Sequence, residues 1–411
     1  MAERRPRLDP DTAAVRGAVR RALQDHAAAG GFTRPSGGLP AGGRDAAAQG
    51  HGESPGAPGR FPSGERAPVS GSLGERSEPP RTPARPAGDG RPAEPGAEDP
   101  WRVVIGVSGG ADSMALAAAT AFLQRALPLR AQAVLVDHGL QSGARRAAES
   151  AAEQLRTLGL ETLVVPAAVD REHPAGLEAA ARRARYAALE AARRRYGAAA
   201  IMLGHTLDDQ AETVLLGLAR GSGARSLAGM APARGMLLRP LLGLRRAQLR
   251  ASCHAQGLRV WDDPMNADDA YARVRARRHA LPALEQQLGP GITEALARTA
   301  AQLRADADHL EAEAAQAAER LLGDSRDRRL DRAPLAAVPE ALRTRVLRRW
   351  LVDLIGTGQD LSYEHVRAVD ALVTGARRGA VSLPGDVIAV AEGTSLRLRD
   401  SGPGQDGPQN L

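Results

Sequence analysis

The sequence predicts an α/β chain: a doubly wound parallel sheet followed by a mainly helical C-terminal domain. Three observations predict it. Four apolar, strand-like runs at 102–107, 131–136, 161–165 and 200–204 are separated by alanine-rich helical stretches, the pattern of βαβ units. A glycine loop, Val107-Ser108-Gly109-Gly110-Ala111-Asp112-Ser113, joins the first run to a helical stretch over 114–126. After Pro264 the alternation stops, and the remainder reads as helices.

The elements follow in order. Residues 9–27 read as one amphipathic helix, started by Asp9-Pro10-Asp11-Thr12, with Val15, Val19 and Leu23 as its apolar stripe. Residues 28–98 are dense in Gly, Pro, Ser, Arg and Glu and poor in large apolar side chains. Such a segment cannot bury enough surface to offset the entropy of ordering, so a disordered insertion is expected. The sheet domain is placed at 99–275 and the helical domain at 276–400, with a frayed tail at 401–411. Within the second domain, 285–322, 334–355 and 362–374 read as helices, and Val381–Leu398 alternates enough for a small hairpin.

Composition narrows the class. At 411 residues the chain holds two or three domains. Its formal charge is +7 and its pI about 10.6, and every basic residue is arginine. That balance suits a polyanionic partner. The abundance of Ala, Gly, Pro and Arg reads as the drift of a GC-rich genome. One cysteine, Cys253, excludes an intramolecular disulfide. No apolar run approaches the ~18 residues of a membrane span, and no secretory signal is seen at the N-terminus. A cytoplasmic enzyme with no membrane partner is expected.

The loop at 108–113 carries the first chemistry. Glycines admit an anion, loop N–H groups point at it, and the helix dipole favours negative charge. It is not a Walker A loop, because no Gly-Lys-Ser/Thr follows. The plainer alternative is a strand–helix turn with an aspartate cap. The second run ends in Val136-Asp137-His138-Gly139-Leu140, where a carboxylate and an imidazole would face a ligand at the strand ends. Arg182, Arg185 and Tyr186 lie at helical spacing on one face. They can hold phosphate or make a solvated basic surface. The fourth run leads into His205-Thr206-Leu207-Asp208-Asp209-Gln210-Ala211-Glu212-Thr213. Asp209 and Glu212, three apart, share a helix face and can accept an ammonium group; acids there also complement a helix dipole. Arg220 follows that helix. Arg273, Arg275, Arg277 and Arg278 form a basic cluster, and Arg343, Arg345, Arg348 and Arg349 form another on a helix. Both suit RNA phosphate or plain solvation.

The SGGxDS spacing of Ser108–Ser113 resembles the pyrophosphate loop of the N-type ATP pyrophosphatases, the PP-loop or adenine nucleotide alpha hydrolase-like fold. Together with VDHGL, ARRARY, GHTLDDQAET, Ala219-Arg220-Gly221-Ser222-Gly223, Leu238-Arg239-Pro240-Leu241-Leu242, Trp261-Asp262-Asp263-Pro264 and Tyr271-Ala272-Arg273, the chain resembles the tRNA(Ile)-lysidine synthases. The likeness covers about 100–285 most fully. Met265 and Val274 stand where many relatives have Ser and Asn.

The resemblance implies a ligase that adenylates the C2 oxygen of the wobble cytidine in a CAU-anticodon isoleucine tRNA, then joins L-lysine and releases AMP. It implies ATP on Ser108, Gly109, Gly110, Ala111, Asp112, Ser113, Asp137, His138 and His205, with Mg2+ on Asp112. Asp112 and Arg185 would be catalytic, Asp209 and Glu212 would receive lysine, and Arg220, Arg273, Arg275, Arg277 and Arg278 would meet tRNA. A homodimer is one candidate assembly. Two rivals stand beside this reading. One is another adenylating tRNA enzyme of thiolase type, disfavoured by the lone Cys253. The other is a non-catalytic RNA-binding protein, which would not need an intact loop and acid pair.

Overall fold

A computed structural model describes residues 8–32, 100–139, 143–170, 172–173, 176–221, 223–322, 328–356 and 360–401. The expected insertion, from residue 33 on, lies outside these residues, as do Leu140, Ser222 and the tail beyond Ser401.

The sheet domain opens with helix α1 (Pro10–Ala28). Then come β1 (Trp101–Val107), α2 (Ala111–Leu123), β2 (Leu129–Asp137), α3 (Ala144–Thr157), β3 (Glu161–Pro166), α4 (Gly176–Tyr196), β4 (Ala200–Leu203) and α5 (Leu207–Ala219). A short turn α6 (Ala224–Leu227), a two-residue pair β5 (Ala233–Arg234) and β6 (Leu237–Leu238), and α7 (Arg246–Ala255) complete it. The strand order is β3-β2-β1-β4-β6-β5, parallel except for β5 against β6. The four expected strands are all present; the β5–β6 pair at the edge was not expected, because two residues carry no periodicity to read.

The period-2 alternation of β1 sets the layers. Val103 and Ile105 pack with α1, α2, α3 and α7, while Val104 packs with α4 on the opposite face. β1 pairs with β2 on one side and β4 on the other. The crevice at their carboxyl ends is the place where such sheets take ligands.

Helix α1 starts as expected: the Asp9 carboxylate accepts the Thr12 N–H at 2.8 Å, with Pro10 in the first turn. It is not a separate N-terminal unit, however. Val15, Val19 and Leu23 are buried in the main core against α2 and α7. The chain beyond it is still packed at Phe32, whose ring stacks on Trp101 at 4.9 Å. Phe32, read from the sequence as part of the insertion, is therefore packed on the sheet domain.

The second part begins with α8 (Ala272–Arg275), a π-turn at Ala276–Ala280, and α9 (Leu281–Leu288). Helix α10 (Ile292–Leu321) packs on α5 and reaches on to α12 (Glu340–Ile355), joining the two halves. The last unit holds α11 (Arg332–Ala336), α12 and α13 (Tyr363–Thr374) around buried Trp350. Its expected hairpin is larger than read: β7 (Arg329–Asp331), β8 (Ala380–Leu383), β9 (Val387–Glu392) and β10 (Ser395–Asp400) form an antiparallel sheet in the order β7-β10-β9-β8. β7 lies far back in the chain and is only three residues long, too short to show alternation. In this unit Arg343 does not face solvent. Its guanidinium grips Asp370 at 2.6 and 3.2 Å inside the fold.

Candidate active site

β1 ends at Val107, and α2 begins at Ala111. Gly109 between them has φ +84°, a backbone conformation that a side chain would strain. Its carbonyl accepts the Trp261 N–H at 3.0 Å. Ser113 Oγ knots the turn: it accepts the Ser108 N–H at 3.1 Å and donates to the Gly110 carbonyl at 3.0 Å. Ser108 Oγ lies 3.2 Å from it. The first N–H groups of a helix have no partner within it, so the start of α2 is suited to an anion.

Gly204, directly after β4, closes the other wall. A Cβ there would lie 3.0 Å from the Asp112 carbonyl and the Ser113 N. The missing side chain lets the end of β4 come this close to the first turn of α2.

Asp112 and the acids of α5 then meet. Asp112 Oδ1 is buried and accepts no hydrogen bond, and Oδ2 faces Arg246 Nε at 3.3 Å. Burial pushes this carboxyl up to about 6. Asp209 is the third residue of a capping box: its Oδ2 accepts the Thr206 N–H at 2.8 Å and hydroxyl at 3.0 Å. Its Oδ1 accepts Arg246 Nη2 at 2.9 Å. Burial alone would raise the Asp209 carboxyl; the Arg246 charge and the Thr206 N–H outweigh it and hold it below its usual range. Glu212, one turn on, is fully buried. Arg277 grips it with Nε on Oε1 at 2.7 Å and Nη2 on Oε2 at 3.1 Å. Arg246 lies 3.4 Å and Arg273 3.5 Å from the same carboxylate. A cavity of about 480 Å³ opens beside these groups, lined by Asp208, Glu212, Arg245, Arg246, Arg277 and Glu294 among others.

The imidazoles flank the crevice. His205 is pushed down to about 4, chiefly by burial, so it is neutral at neutral pH, and its Nδ1 has no hydrogen-bond partner. His138 Nε2 lies 3.4 Å from both Nε and Nη2 of Arg185. Burial, then the Arg185 charge, holds His138 below its usual value. Asp137 caps its own turn by accepting the Gly139 N–H at 3.0 Å.

Known proteins match on both halves. Residues 92–284 match the model of a PP-loop domain, and residues 330–394 match a TilS substrate binding domain. A tRNA(Ile)-lysidine synthase of Leifsonia xyli subsp. xyli is 52% identical over 306 residues, 74% of this chain and 89% of its own length. The chain belongs to the tRNA(Ile)-lysidine synthase family. The Streptomyces coelicolor enzyme of that name is 51% identical over 72% of this chain and 85% of its own. The Thermobifida fusca one is 52% identical over 69% and 87%.

In this lysidine synthase family member, the sequence-selected residues fall into two groups. Ser108 to Ser113, His205, Asp209 and Glu212 converge on one crevice, and Asp137, His138 and Arg185 stand together at the end of β2. The arginines chosen for tRNA do not act as one surface. Arg277 and Arg273 turn inward onto Glu212, with Arg273 also 3.0 Å from Thr213 Oγ1. Exposed Arg275 and Arg278 hold the carbonyls of Asp269, Ala270 and Ala267 at 2.6–2.7 Å, and exposed Arg220 bonds its own helix at the Leu216 carbonyl. Val274, on α8, is buried. Arg246 was missed. It stands at the start of α7 with no motif of its own, and the only signal was its place just after Leu238-Arg239-Pro240-Leu241-Leu242.

Among the described residues no helix is long and apolar enough to cross a membrane. Among the same residues no cluster of three or more His, Cys, Asp or Glu is arranged to hold a metal ion. The bare Asp112 Oδ1 fits a single-carboxylate role for Mg2+, which is commonly held by one or two carboxylates together with substrate phosphates.

Proposed function

We propose that this chain makes lysidine: it adenylates the C2 oxygen of the wobble cytidine in a CAU-anticodon isoleucine tRNA and replaces AMP by L-lysine. The observation that carries the proposal is the meeting of the anion loop and the acid pair in one crevice, bridged by Arg246.

ATP lies with its phosphates on the loop from Ser108 to Ser113 and the start of α2. Asp112 Oδ1 is the carboxylate for Mg2+, which would offset phosphate charge. The cytidine O2 attacks the α-phosphorus and pyrophosphate leaves. Arg185, at the end of β2, assists by its positive charge; His138 and His205, both neutral, line the nucleotide without competing for phosphate as cations. Adenylation turns a poor leaving oxygen into a good one. The lysine ammonium gives up one proton to solvent to become the free ε-amine, which attacks C2; a second proton passes to solvent as the C2–O bond breaks and AMP departs with the oxygen. Asp209 and Glu212 receive the lysine ammonium before attack, which requires that Arg277 and Arg246 yield part of their hold on them. The exposed arginines Arg220, Arg275 and Arg278 are left to meet RNA phosphate. The chain works in the cytoplasm, as a monomer or homodimer.

The deciding assay is lysine incorporation into the minor isoleucine tRNA compared with the CAU-bearing methionine tRNAs. Incorporation confined to the isoleucine tRNA, with one AMP released per lysine, is the expected result. ATP turnover with sulfur transfer and no lysine requirement would overturn it.

A further inference from the structure

Arg246 touches both halves of the site at once. Its main-chain N–H is fixed to Asp208 Oδ2 at 2.7 Å, which ties the start of α7 to α5. From that anchor the side chain spans the crevice. Nε faces Asp112 Oδ2 at 3.3 Å, on the nucleotide side. Nη2 faces Asp209 Oδ1 at 2.9 Å and Glu212 Oε1 at 3.4 Å, on the amine side. The planar fork of a guanidinium makes this reach possible; a lysine ammonium is a point charge and cannot serve three separated carboxylates.

The acceptors are crowded. Asp209 Oδ2 is committed to the Thr206 cap, and Oδ1 to Arg246 at 2.9 Å, with Arg277 Nη2 farther off at 3.5 Å. An incoming ammonium must compete with the Arg246 charge for Oδ1 while Arg246 stays in place. The loop, in contrast, lies on the Nε side and is built for phosphate, which draws guanidinium strongly through charge-assisted hydrogen bonds.

The geometry points to Arg246 as a positioning residue that couples nucleotide binding to lysine binding: phosphate on the loop draws its guanidinium toward Asp112 and frees Asp209 Oδ1 for the amine, while Arg277 keeps its grip on Glu212. The inference rests on the reading that this acid pair receives lysine. Lysine then binds well only after ATP, so the amine enters once the activating nucleotide is in place.

The test is equilibrium dialysis of labelled L-lysine with the full chain, with and without Mg2+ and α,β-methylene-ATP. In the wild type, lysine binds about tenfold tighter with the nucleotide analogue, within the ordinary range of coupling between sites. By reciprocity, lysine tightens the analogue by the same factor. In Arg246→Gln and Arg246→Lys the ratio falls to within about twofold of one, and in Arg246→Gln lysine binds more tightly without nucleotide than in the wild type. A wild-type ratio near one or below one overturns the inference, and so does a ratio retained in either variant. The wild-type measurement stands even where a variant fails to fold. Glu212→Gln separates the two readings. If it binds lysine as the wild type does, the acid pair is not the lysine site. If it loses lysine while Arg246→Gln keeps the wild-type ratio, only the role of Arg246 is wrong.

Discussion

Arg277 holds Glu212 in a two-point grip, 2.7 Å at Oε1 and 3.1 Å at Oε2, on a carboxylate with no exposed surface. A cation of the protein's own therefore occupies the group proposed to receive lysine. This explains how a buried carboxylate is tolerated between turnovers, since removing one partner of a buried pair costs about 3–5 kcal/mol.

Glu212→Gln keeps the shape and removes the charge. The lysine requirement is expected to rise roughly a hundredfold or more, the same order as that cost, and the ATP requirement far less. Steady-state KM values for each substrate, taken at saturation of the other, check this. Equal rises in both would mean that the pair serves the nucleotide or its metal.

Asp112 gives a pH dependence of definite sign. Its carboxyl lies at about 6 in the folded chain against an ordinary value of 3.8, through burial. The folded state thus holds this proton more tightly than the unfolded state does. Between those two values stability declines as pH rises, by a total on the order of 3 kcal/mol, and it stays lowered above about 6. Asp112→Asn removes that slope. Denaturant midpoints of the wild type and the variant should differ between about pH 4 and about pH 7.5, with the variant gaining on the wild type toward the higher pH. Adenylation by the variant should be abolished while tRNA binding is kept. Parallel midpoints, or near-normal AMP release, would contradict the placement of Asp112.

Gly204→Ala tests the closeness of the end of β4 to the first turn of α2. The added Cβ meets backbone of Asp112 and Ser113 at 3.0 Å, and backbone cannot swing aside as a side chain can. The loop must shift by a few tenths of an ångström or more. Misplacement on that scale lowers kcat/KM for ATP by roughly tenfold to a hundredfold, with tRNA affinity unchanged. Pyrophosphate release and a gel-shift titration of the same preparation give the two numbers.

How much of this was legible beforehand depends on the range of the interactions. The loop at 108–113, the four strands and the helical spacing of Arg182, Arg185 and Tyr186 are written in local periodicity and turn chemistry. Asp209 and Glu212 share a face by helical spacing alone. The partners of that pair were not legible. Arg246 and Arg277 reach it from 34 and 65 residues away in sequence, and only the packing of α7 and the π-turn beside α5 brings them together. The same holds for Arg343, which reads as surface from its basic neighbours and turns inward because Asp370 on α13 faces it. Runs of arginine do not tell which members find an acid.

Helix α1 supplies the last case, because a stripe of Val15, Val19 and Leu23 tells that the helix packs but not where. It packs on α2 and α7, the helices that begin at the loop and at Arg246. Its first turn is tied to α7 by two polar contacts. Thr12 Oγ1 lies 3.2 Å from Ser252 Oγ with both residues buried, and Asp11 Oδ1 accepts Gln248 Nε2 at 3.2 Å. Gln248 in turn accepts the Arg245 N–H at 3.0 Å. Thr12→Val removes the hydroxyl without changing the shape and leaves Ser252 without this buried partner, a loss of about 1–3 kcal/mol. Ser252→Ala should cost a similar amount. The double variant should cost less than the sum, since one bond joins the two residues and neighbours in contact do not add. Urea denaturation of the four proteins measures the coupling. Strict additivity would show that the Thr12–Ser252 contact contributes nothing to holding α1 on α7, leaving the apolar contacts and the Asp11–Gln248 bond to do so.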